Sequence, residues 1–148
     1  MSQTPSSAFE KSASAGYLAN LMARLFAHRL SEAIRPLGLA PAQFMTLLEL
    51  WAEDGLTQAE LVARLAVEQA TMAGTIARME RDGLLLRRPH PSDRRAQTLH
   101  LTPHAQALRG PASAAAAEVN RRALAALSAA ERADFLHLTG KIIAALEK

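Results

Sequence analysis

The chain contains no cysteine. Disulfides, thiolate nucleophiles and cysteine-ligated zinc are therefore excluded, and the composition suits a reducing compartment such as the cytoplasm. Aromatic residues are also scarce, at one Trp, one Tyr and four Phe in 148 residues, while Ala and Leu supply much of the 49% hydrophobic fraction. Because Ala and Leu favour helices, we expect a mainly α-helical protein rather than an aromatic-rich β-sandwich.

Long apolar runs are missing as well. No segment approaches the roughly 20 consecutive apolar residues of a membrane-spanning helix, so no membrane partner is expected. The opening residues, MSQTPSSAFEKSAS, are polar and lack the apolar centre of a signal peptide. We expect a disordered N-terminus over residues 1–12 and a single cytoplasmic domain over residues 13–148.

Excess charge is small, since the formal net charge is +3, but it is concentrated. Six arginines and three acidic residues lie between Arg78 and Arg95, and the rest of the chain holds eleven basic and eleven acidic residues. The whole positive excess therefore lies in one window of 18 residues. A basic patch of this kind is typical of proteins that bind a polyanion.

The middle of the chain has the pattern of two short helices separated by a tight turn. Thr57 and Glu60 have the spacing of a capping box, which predicts a helix through about residue 65. After a turn at residues 66–67, a second helix is predicted over residues 68–82, with Gly83 just past its carboxyl end. This order is typical of a helix-turn-helix, whose second helix enters the major groove of double-stranded DNA.

A β-hairpin is predicted directly after these helices. Two strand-like runs, residues 84–88 and 96–101, are joined by a connection that includes PHPSD, a turn composition. Further helices are predicted over residues 14–35, from residue 41 to just before Asp54-Gly55, from residue 103 with a kink or interruption at Gly110-Pro111, and from residue 128. The predicted fold is mainly α, with about six helices and a two-stranded wing. Residues 36–102 form the winged helix-turn-helix core.

The second helix of the pair has one polar face. At spacings of three and four, that face carries Glu68, Thr71, Thr75, Arg78 and Asp82. The opposite face is predicted to be apolar and to carry Val67, Ala70, Ala73, Ile76 and Met79. We predict that Glu68, Gln69 and Thr71 meet base edges and that Arg78 meets a phosphate. The alternative, a solvated polar face, is less favoured because a helix-turn-helix and a basic hairpin flank this helix.

The hairpin carries Arg94 and Arg95, an arginine pair suited to the negative potential of a narrow minor groove. Asp93 beside them is expected to orient an arginine through a charge-assisted hydrogen bond. The alternative is a solvated loop with a weak surface ion pair. Secondary phosphate contacts are predicted for Thr57, Gln58, Arg87 and Arg88.

The outer helices, residues 13–35 and 103–148, carry more large apolar side chains than a small winged domain can cover. Such surfaces usually meet a partner, so we predict a homodimer whose reading helices lie about one DNA turn, ~34 Å, apart. A pocket for a small-molecule effector, if present, is expected between these helices and the core. Its candidate lining residues, more often simple core residues, are His28, Phe44, Met45 and Trp51.

Enzymatic and metal chemistry find no support in the pattern of residues. The chain lacks G-x-S-x-G, P-loop and H-E-x-x-H motifs, so it is not expected to be an enzyme or to hold a cofactor. The five histidines, at positions 28, 90, 100, 104 and 137, are scattered, and no neighbouring carboxylates complete a tetrahedral set, so no metal site is expected.

With these residues in place, nearly the whole chain resembles the MarR family of bacterial transcriptional regulators. The resemblance is carried by LTQAEL, VEQATM, DGLLLRRP and, most specifically, SDRRAQTLHLTP. It implies a homodimer on a pseudo-palindromic operator, usually a repressor released by a small, often phenolic or anionic, ligand. It also implies wing roles for Asp93 and Arg95 and places Gln69, Thr71 and Thr75 on the base-facing surface.

The residues leave two interpretations of the function open, a DNA-binding regulator and a winged-helix module that contacts proteins without specific DNA binding. The second interpretation predicts an apolar or acidic helix face and a neutral wing tip, unlike this sequence. Within the family, the absence of cysteine excludes the cysteine-based peroxide sensors.

Overall fold

Six α-helices and a three-stranded antiparallel sheet form the part of the chain that the computed structural model describes, residues 8–148. In chain order they are α1 (Ala15–Ile34), α2 (Pro41–Ala52), β1 (Leu56–Thr57), α3 (Gln58–Leu65), α4 (Gln69–Arg81), β2 (Leu85–Pro89), β3 (Gln97–Leu101), α5 (Pro103–Ala123) and α6 (Ala129–Leu146). This confirms the predicted mainly α, winged helix-turn-helix class. Within residues 8–148, no helix has the length and apolar character needed to cross a membrane.

Side-chain caps begin the helices where the sequence predicts them. The Thr57 hydroxyl accepts a hydrogen bond from the Glu60 N–H at 3.2 Å, and the Glu60 carboxylate accepts one from the Thr57 N–H at 3.4 Å. Ser128 and Glu131 form the same reciprocal box at the start of α6. Each box satisfies N–H groups that lack a partner within the helix, which explains why the starts of α3 and α6 are readable from the sequence.

The sheet has the order β1-β3-β2, with one strand more than predicted. In the wing hairpin Leu86 pairs with His100 and Arg88 pairs with Thr98. On the other side of β3, Leu56 pairs with Leu99. The predicted two-stranded wing is confirmed as β2 and β3, and β1 adds a strand that was not predicted, because a strand of two residues has no hydrophobic alternation to detect.

The hydrophobic core lies where α2, α3 and α4 pack against the sheet. Its buried apolar residues are Ile34, Leu39, Phe44, Leu47, Leu50, Trp51, Leu56, Leu61, Met72, Ile76, Met79, Leu84, Leu85, Leu99, Ala105 and Ala112. The Trp51 indole N–H donates to the Ala105 carbonyl at 3.1 Å, and its ring meets Phe44 edge to face at 6.1 Å. This contact fixes the start of α5 against the winged core.

Two predictions about chain continuity have different outcomes. Helix α5 runs through Gly110 and Pro111 without the interruption weighed for this site. Proline removes one backbone hydrogen bond from the helix. The next residue, Ala112, is buried, and its packing keeps the chain helical past the exposed Pro111. The disordered segment predicted over residues 1–12 falls mainly on residues 1–7, outside the described part, and Lys11–Ala13 form one turn of 3-10 helix.

Candidate nucleic-acid interface

A cleft of about 780 Å³ lies between the N-termini of α3 and α4 and the wing, which comprises β2, β3 and their connection. It is lined by Thr57, Gln58, Ala59, Glu60, Gln69, Arg87, His90, Asp93, Arg94, Arg95, Ala96, Gln97 and Leu99. Candidate residues from three separate stretches of sequence therefore share one concave surface. The cleft joins the predicted reading helix to the predicted wing.

The N-termini of α3 and α4 are joined at this cleft. The Gln58 side-chain N–H donates to the Gln69 side-chain oxygen at 3.2 Å. Both residues are the first of their helices, and α4 begins without a side-chain cap, so the backbone N–H groups of its first turn carry partial positive charge. The turn between the helices contains Ala66 in the left-handed conformation, with φ 52°. This end of the helix pair is suited to a negatively charged group.

The orientation of α4 differs from the predicted one by about one residue. Its buried face carries Met72, Thr75, Ile76 and Met79. Ala70, placed on the apolar side from the sequence, is instead exposed. The bulkier methionines are buried in preference to alanine because they remove more apolar surface from water.

The prediction that Thr75 faces DNA is therefore wrong. Thr75 is only 2% exposed, and its hydroxyl donates to the Thr71 carbonyl at 3.0 Å. The internal hydrogen bond removes the cost of burying an unpaired hydroxyl. Glu68, Gln69, Thr71 and Arg78 are exposed and remain candidates for DNA contact.

Asp93 has a different role from the one expected. Its carboxylate accepts a hydrogen bond from the backbone N–H of Arg95 at 2.9 Å, not from an arginine side chain. It thus shapes the loop rather than orienting a guanidinium, in the way aspartates stabilise turns. Arg94 and Arg95 are exposed, and among residues 8–148 neither forms an ion pair with an acidic side chain.

The secondary phosphate candidates also differ from one another. The Arg87 guanidinium is paired with the Glu80 carboxylate at 2.7 Å and lies 3.4 Å from the Gln97 side-chain oxygen. Arg88, the next residue on β2, is exposed and has no such ion pair among the described side chains. Arg87 consequently supports the wing against α4, and its charge is already balanced within the chain.

Two histidines have structural contacts that sequence reasoning missed. The Nδ1 of His90 accepts hydrogen bonds from the backbone N–H groups of Ser92 and Asp93, at 3.1 and 3.0 Å. The Nε2 of His100 is hydrogen-bonded to the Thr98 hydroxyl at 2.7 Å, and its Nδ1 lies 3.6 Å from Asp54. In the sequence, only the position of His90 between two prolines indicated a structural role for this residue. Across residues 8–148, no three histidine or acidic side chains are placed to hold a metal ion.

Comparison with known proteins agrees with this geometry. The sequence model of the MarR family matches residues 39–96, which include α2 to α4, β2 and the wing tip. The HTH-type transcriptional repressor NicR of Pseudomonas putida is 34% identical over 105 residues, spanning 71% of this chain and 66% of that protein. The chain belongs to the MarR family of transcriptional regulators.

Solved structures of similar fold cover nearly the whole MarR-family chain. A probable transcriptional regulator from Pseudomonas aeruginosa matches with a TM-score of 0.82 at 28% identity, covering 90% of this chain and 99% of that one. A MarR-family regulator from Listeria monocytogenes, solved in complex with a 26-mer DNA, matches with a TM-score of 0.83 at 21% identity, covering 90% and 89%. At that identity the second match bears on the fold alone.

The four candidate pocket residues of this MarR-family chain differ in their exposure and contacts. Phe44 and Trp51 are buried core residues in contact with each other. Met45 is 49% exposed, and His28 is exposed and paired with Glu32 at 3.1 Å. None of the four lines the cleft beside the wing, and their part in an effector pocket stays a prediction.

A second concavity lies between α1 and α5, and Phe135 of α6 also lines it. This α1–α5 groove has a volume of about 1200 Å³ and is lined mainly by apolar side chains, among them Leu18, Leu21, Met22, Leu25, Val119 and Leu127. Glu118 lies on its wall, and hydrogen bonds from Arg121 and Arg122 lower the pKa of Glu118 to about 2. The groove thus combines a mainly apolar lining with a few charged side chains.

Proposed function

We propose that this MarR-family chain is a homodimeric, sequence-specific DNA-binding repressor that acts at a pseudo-palindromic operator. The observation that carries the proposal is the cleft in which Gln58, Gln69, Arg94 and Arg95 lie together. Two helix N-termini face one concave surface together with two arginines that form no ion pair with the side chains of residues 8–148. That combination is complementary to the phosphates and groove edges of a DNA duplex.

The recognition helix supplies base contacts in this proposal. Gln69 and Thr71 lie in the first turn of α4 and are exposed, and Arg78 lies two turns further along the exposed face. The first residues of a recognition helix are the ones that reach base edges, whereas Arg78 is placed to neutralise a phosphate. Arg94 and Arg95 enter the adjacent minor groove from the wing.

Dimerisation is supported by the distribution of apolar surface. Helix α6 contains no buried residue. Its large apolar side chains Leu138, Ile142, Ile143 and Leu146 are all more than half exposed. The α1–α5 groove offers an apolar surface on the same chain. A two-fold pairing in which terminal helices of one protomer cover those of its partner buries both surfaces and places the reading helices ~34 Å apart.

Repression and its release by a small phenolic or anionic ligand complete the proposal. Membership in the family supports this part, together with the similarity to a named repressor over 71% of the chain. In such a regulator the ligand binds more tightly to the conformation that cannot span two half-sites, and thereby shifts the population away from DNA. Fluorescence anisotropy of the preformed protein–DNA complex, titrated with phenolic and aromatic carboxylic acids, tests it.

DNA binding is tested by fluorescence anisotropy with a duplex from the gene's own upstream region and a scrambled duplex, each at two salt concentrations. We expect tighter binding to the upstream duplex, with an affinity that falls steeply as salt rises because counterions are released. The double variant Arg94→Ala/Arg95→Ala is expected to lose roughly 100-fold in affinity and to show a shallower salt slope.

The matched control is Arg24→Ala/Arg35→Ala, which removes the same charge from exposed positions outside the cleft. It is expected to bind nearly as tightly as the unmodified chain. Equal losses of affinity for both double variants would show that the wing arginines act only through the net charge of the chain. Absence of binding to either duplex at low salt would contradict the proposal and favour a protein-contacting winged module.

A further inference from the structure

We propose that His90 is a positioning residue of the wing, whose imidazole holds the wing loop, residues 90–96, in the conformation that presents Arg94 and Arg95 to DNA. This inference rests on the DNA-binding function proposed above. It assigns to His90 a role through its neighbours, since the charges that meet DNA belong to the two arginines.

The imidazole is the centre of the loop's hydrogen bonding. Its Nδ1 accepts from the backbone N–H groups of both Ser92 and Asp93, at 3.1 and 3.0 Å. Both contacts use Nδ1 as the acceptor of a backbone N–H. One side chain thus orders two successive peptide groups in a loop that lies outside the regular sheet.

The order passes from His90 to the arginines along the backbone. Asp93, held at its own N–H by His90, accepts the Arg95 N–H on its carboxylate at 2.9 Å. The loop is closed by the His90 N–H on the Ala96 carbonyl and the Ala96 N–H on the Asp93 carbonyl, both at 3.2 Å. Arg94 and Arg95 therefore lie within a short set of hydrogen bonds that begins at His90.

The residues beside His90 limit the backbone on both sides. Pro89 and Pro91 fix their own φ angles, and Pro91 also restricts the conformation of His90. What remains free is the segment from Ser92 to Arg95, the part that the imidazole and Asp93 hold. An ordered loop loses less conformational entropy when its arginines bind, so the hydrogen bonds of His90 increase affinity without touching DNA.

The test compares His90→Ala with His90→Asn, each in the unmodified chain and in the Arg94→Ala/Arg95→Ala background. Alanine removes the acceptor, and we expect a loss of about 10-fold in affinity for the upstream duplex. Asparagine places its amide oxygen near the position of Nδ1, so most of the affinity should return. In the background without the two arginines, His90→Ala should cause no further loss.

Each contrary result has a definite meaning. Unchanged affinity for His90→Ala, or the same loss with and without the two arginines, overturns the proposal. If His90→Asn binds as weakly as His90→Ala, His90 acts through a direct contact of Nε2 and the positioning role is wrong. His104→Ala, which removes an exposed histidine outside the cleft, serves as the control and should bind normally.

A second measurement is independent of DNA. The backbone amides of Ser92 and Asp93 should exchange with solvent more slowly in the unmodified chain than in His90→Ala, with His90→Asn in between. Equal exchange in all three proteins overturns the proposal. If the exchange differs as expected while Arg94→Ala/Arg95→Ala binds DNA normally, the wing's part in the proposed function fails, and the ordering role of His90 then has no consequence for binding.

Discussion

The winged core and the terminal helices cover their apolar surface in opposite ways. Thirteen of the sixteen buried apolar residues lie between positions 39 and 99, and the other three are Ile34 at the end of α1 and Ala105 and Ala112 in the first half of α5. On α1 and α6, by contrast, ten large apolar side chains are exposed, from Tyr17 to Leu146. The core buries its hydrophobic surface within one chain, whereas the terminal helices leave large apolar side chains exposed, which supports the proposed dimer.

The same division separates charge. The positive excess of the chain lies between Arg78 and Arg95, in the core, and residues outside that window balance. In the proposed function, recognition of DNA and association with a second copy therefore belong to different parts of the molecule. Changes in one part should leave the other measurable, and the following predictions use that separation.

The largest effect is expected from charge placed on the apolar stripe of α6. Leu138→Glu/Ile142→Glu should convert a dimer into a monomer, because burying two carboxylates without partners costs several kcal/mol, about 2 or more each. Size-exclusion chromatography with light scattering should report the mass of one chain, and circular dichroism should still report a folded helical protein. Ala144→Glu, on the opposite side of α6, is the control, and a double variant that stays dimeric would contradict the proposed interface.

Truncation of leucines should distinguish the two regions next. In the monomeric variant described above, Leu47→Ala should lower the free energy of unfolding by about 3 kcal/mol, since Leu47 is fully buried and leaves a cavity. Leu25→Ala should lower it by less than about 1 kcal/mol, because Leu25 is 58% exposed in a single chain. Urea unfolding measures both values. Equal losses would mean that α1 packs on its own chain.

A smaller effect on stability is expected from the contact of Trp51 with Ala105, which connects the winged core to α5. Trp51→Phe removes the N–H donated to the Ala105 carbonyl and should lower the free energy of unfolding by about 1–2 kcal/mol. Faster amide exchange should be confined to the first turns of α5. Met45→Leu, a conservative change on a more exposed position of α2, is the control. Faster amide exchange throughout α4 would instead show that Trp51 mainly supports the core.

The smallest effect concerns Glu118 on the wall of the α1–α5 groove. Because Arg121 and Arg122 lower its pKa from 4.5 to about 2 in the folded chain, its stabilising effect is present above pH 4.5 and is lost as the pH falls toward 2. Glu118→Gln should therefore flatten the decline of the melting temperature with pH in that window and change little at pH 7, where solvent screens these exposed ion pairs.

Thermal unfolding at several pH values, at low and high salt, measures the effect. Glu147→Gln, an exposed glutamate outside these ion pairs, is the control. An unchanged slope in Glu118→Gln would show that the Arg121 and Arg122 contacts do not persist in solution.

Most of the local structure was predictable because its causes are local. The capping boxes at Thr57 and Ser128 and the glycine at position 83 mark helix ends through contacts within a few residues. The wing hairpin followed from two strand-like runs around a turn. Strand β1 was missed, since its two residues are defined only by their partners on β3.

The site was predictable in content but not in arrangement. Gln69, Arg94 and Arg95 were expected to cooperate, and they line one cleft. Thr75 was assigned to the wrong face, because helical periodicity allows rotations of one residue that only neighbouring packing resolves. The loop roles of His90 and Asp93 depend on hydrogen bonds to backbone groups, which no pattern of side-chain types specifies.

Composition, periodicity and caps were thus enough to establish a helical winged fold with its positive charge gathered at one end of the helix-turn-helix. Those properties depend on residues near one another in the chain. The rotation of α4, the contact between Phe44 and Trp51 in the core, and the apolar surface left open on α6 depend on which faces meet. Packing among distant segments decides that, because each helix buries the face that removes the most apolar surface from water.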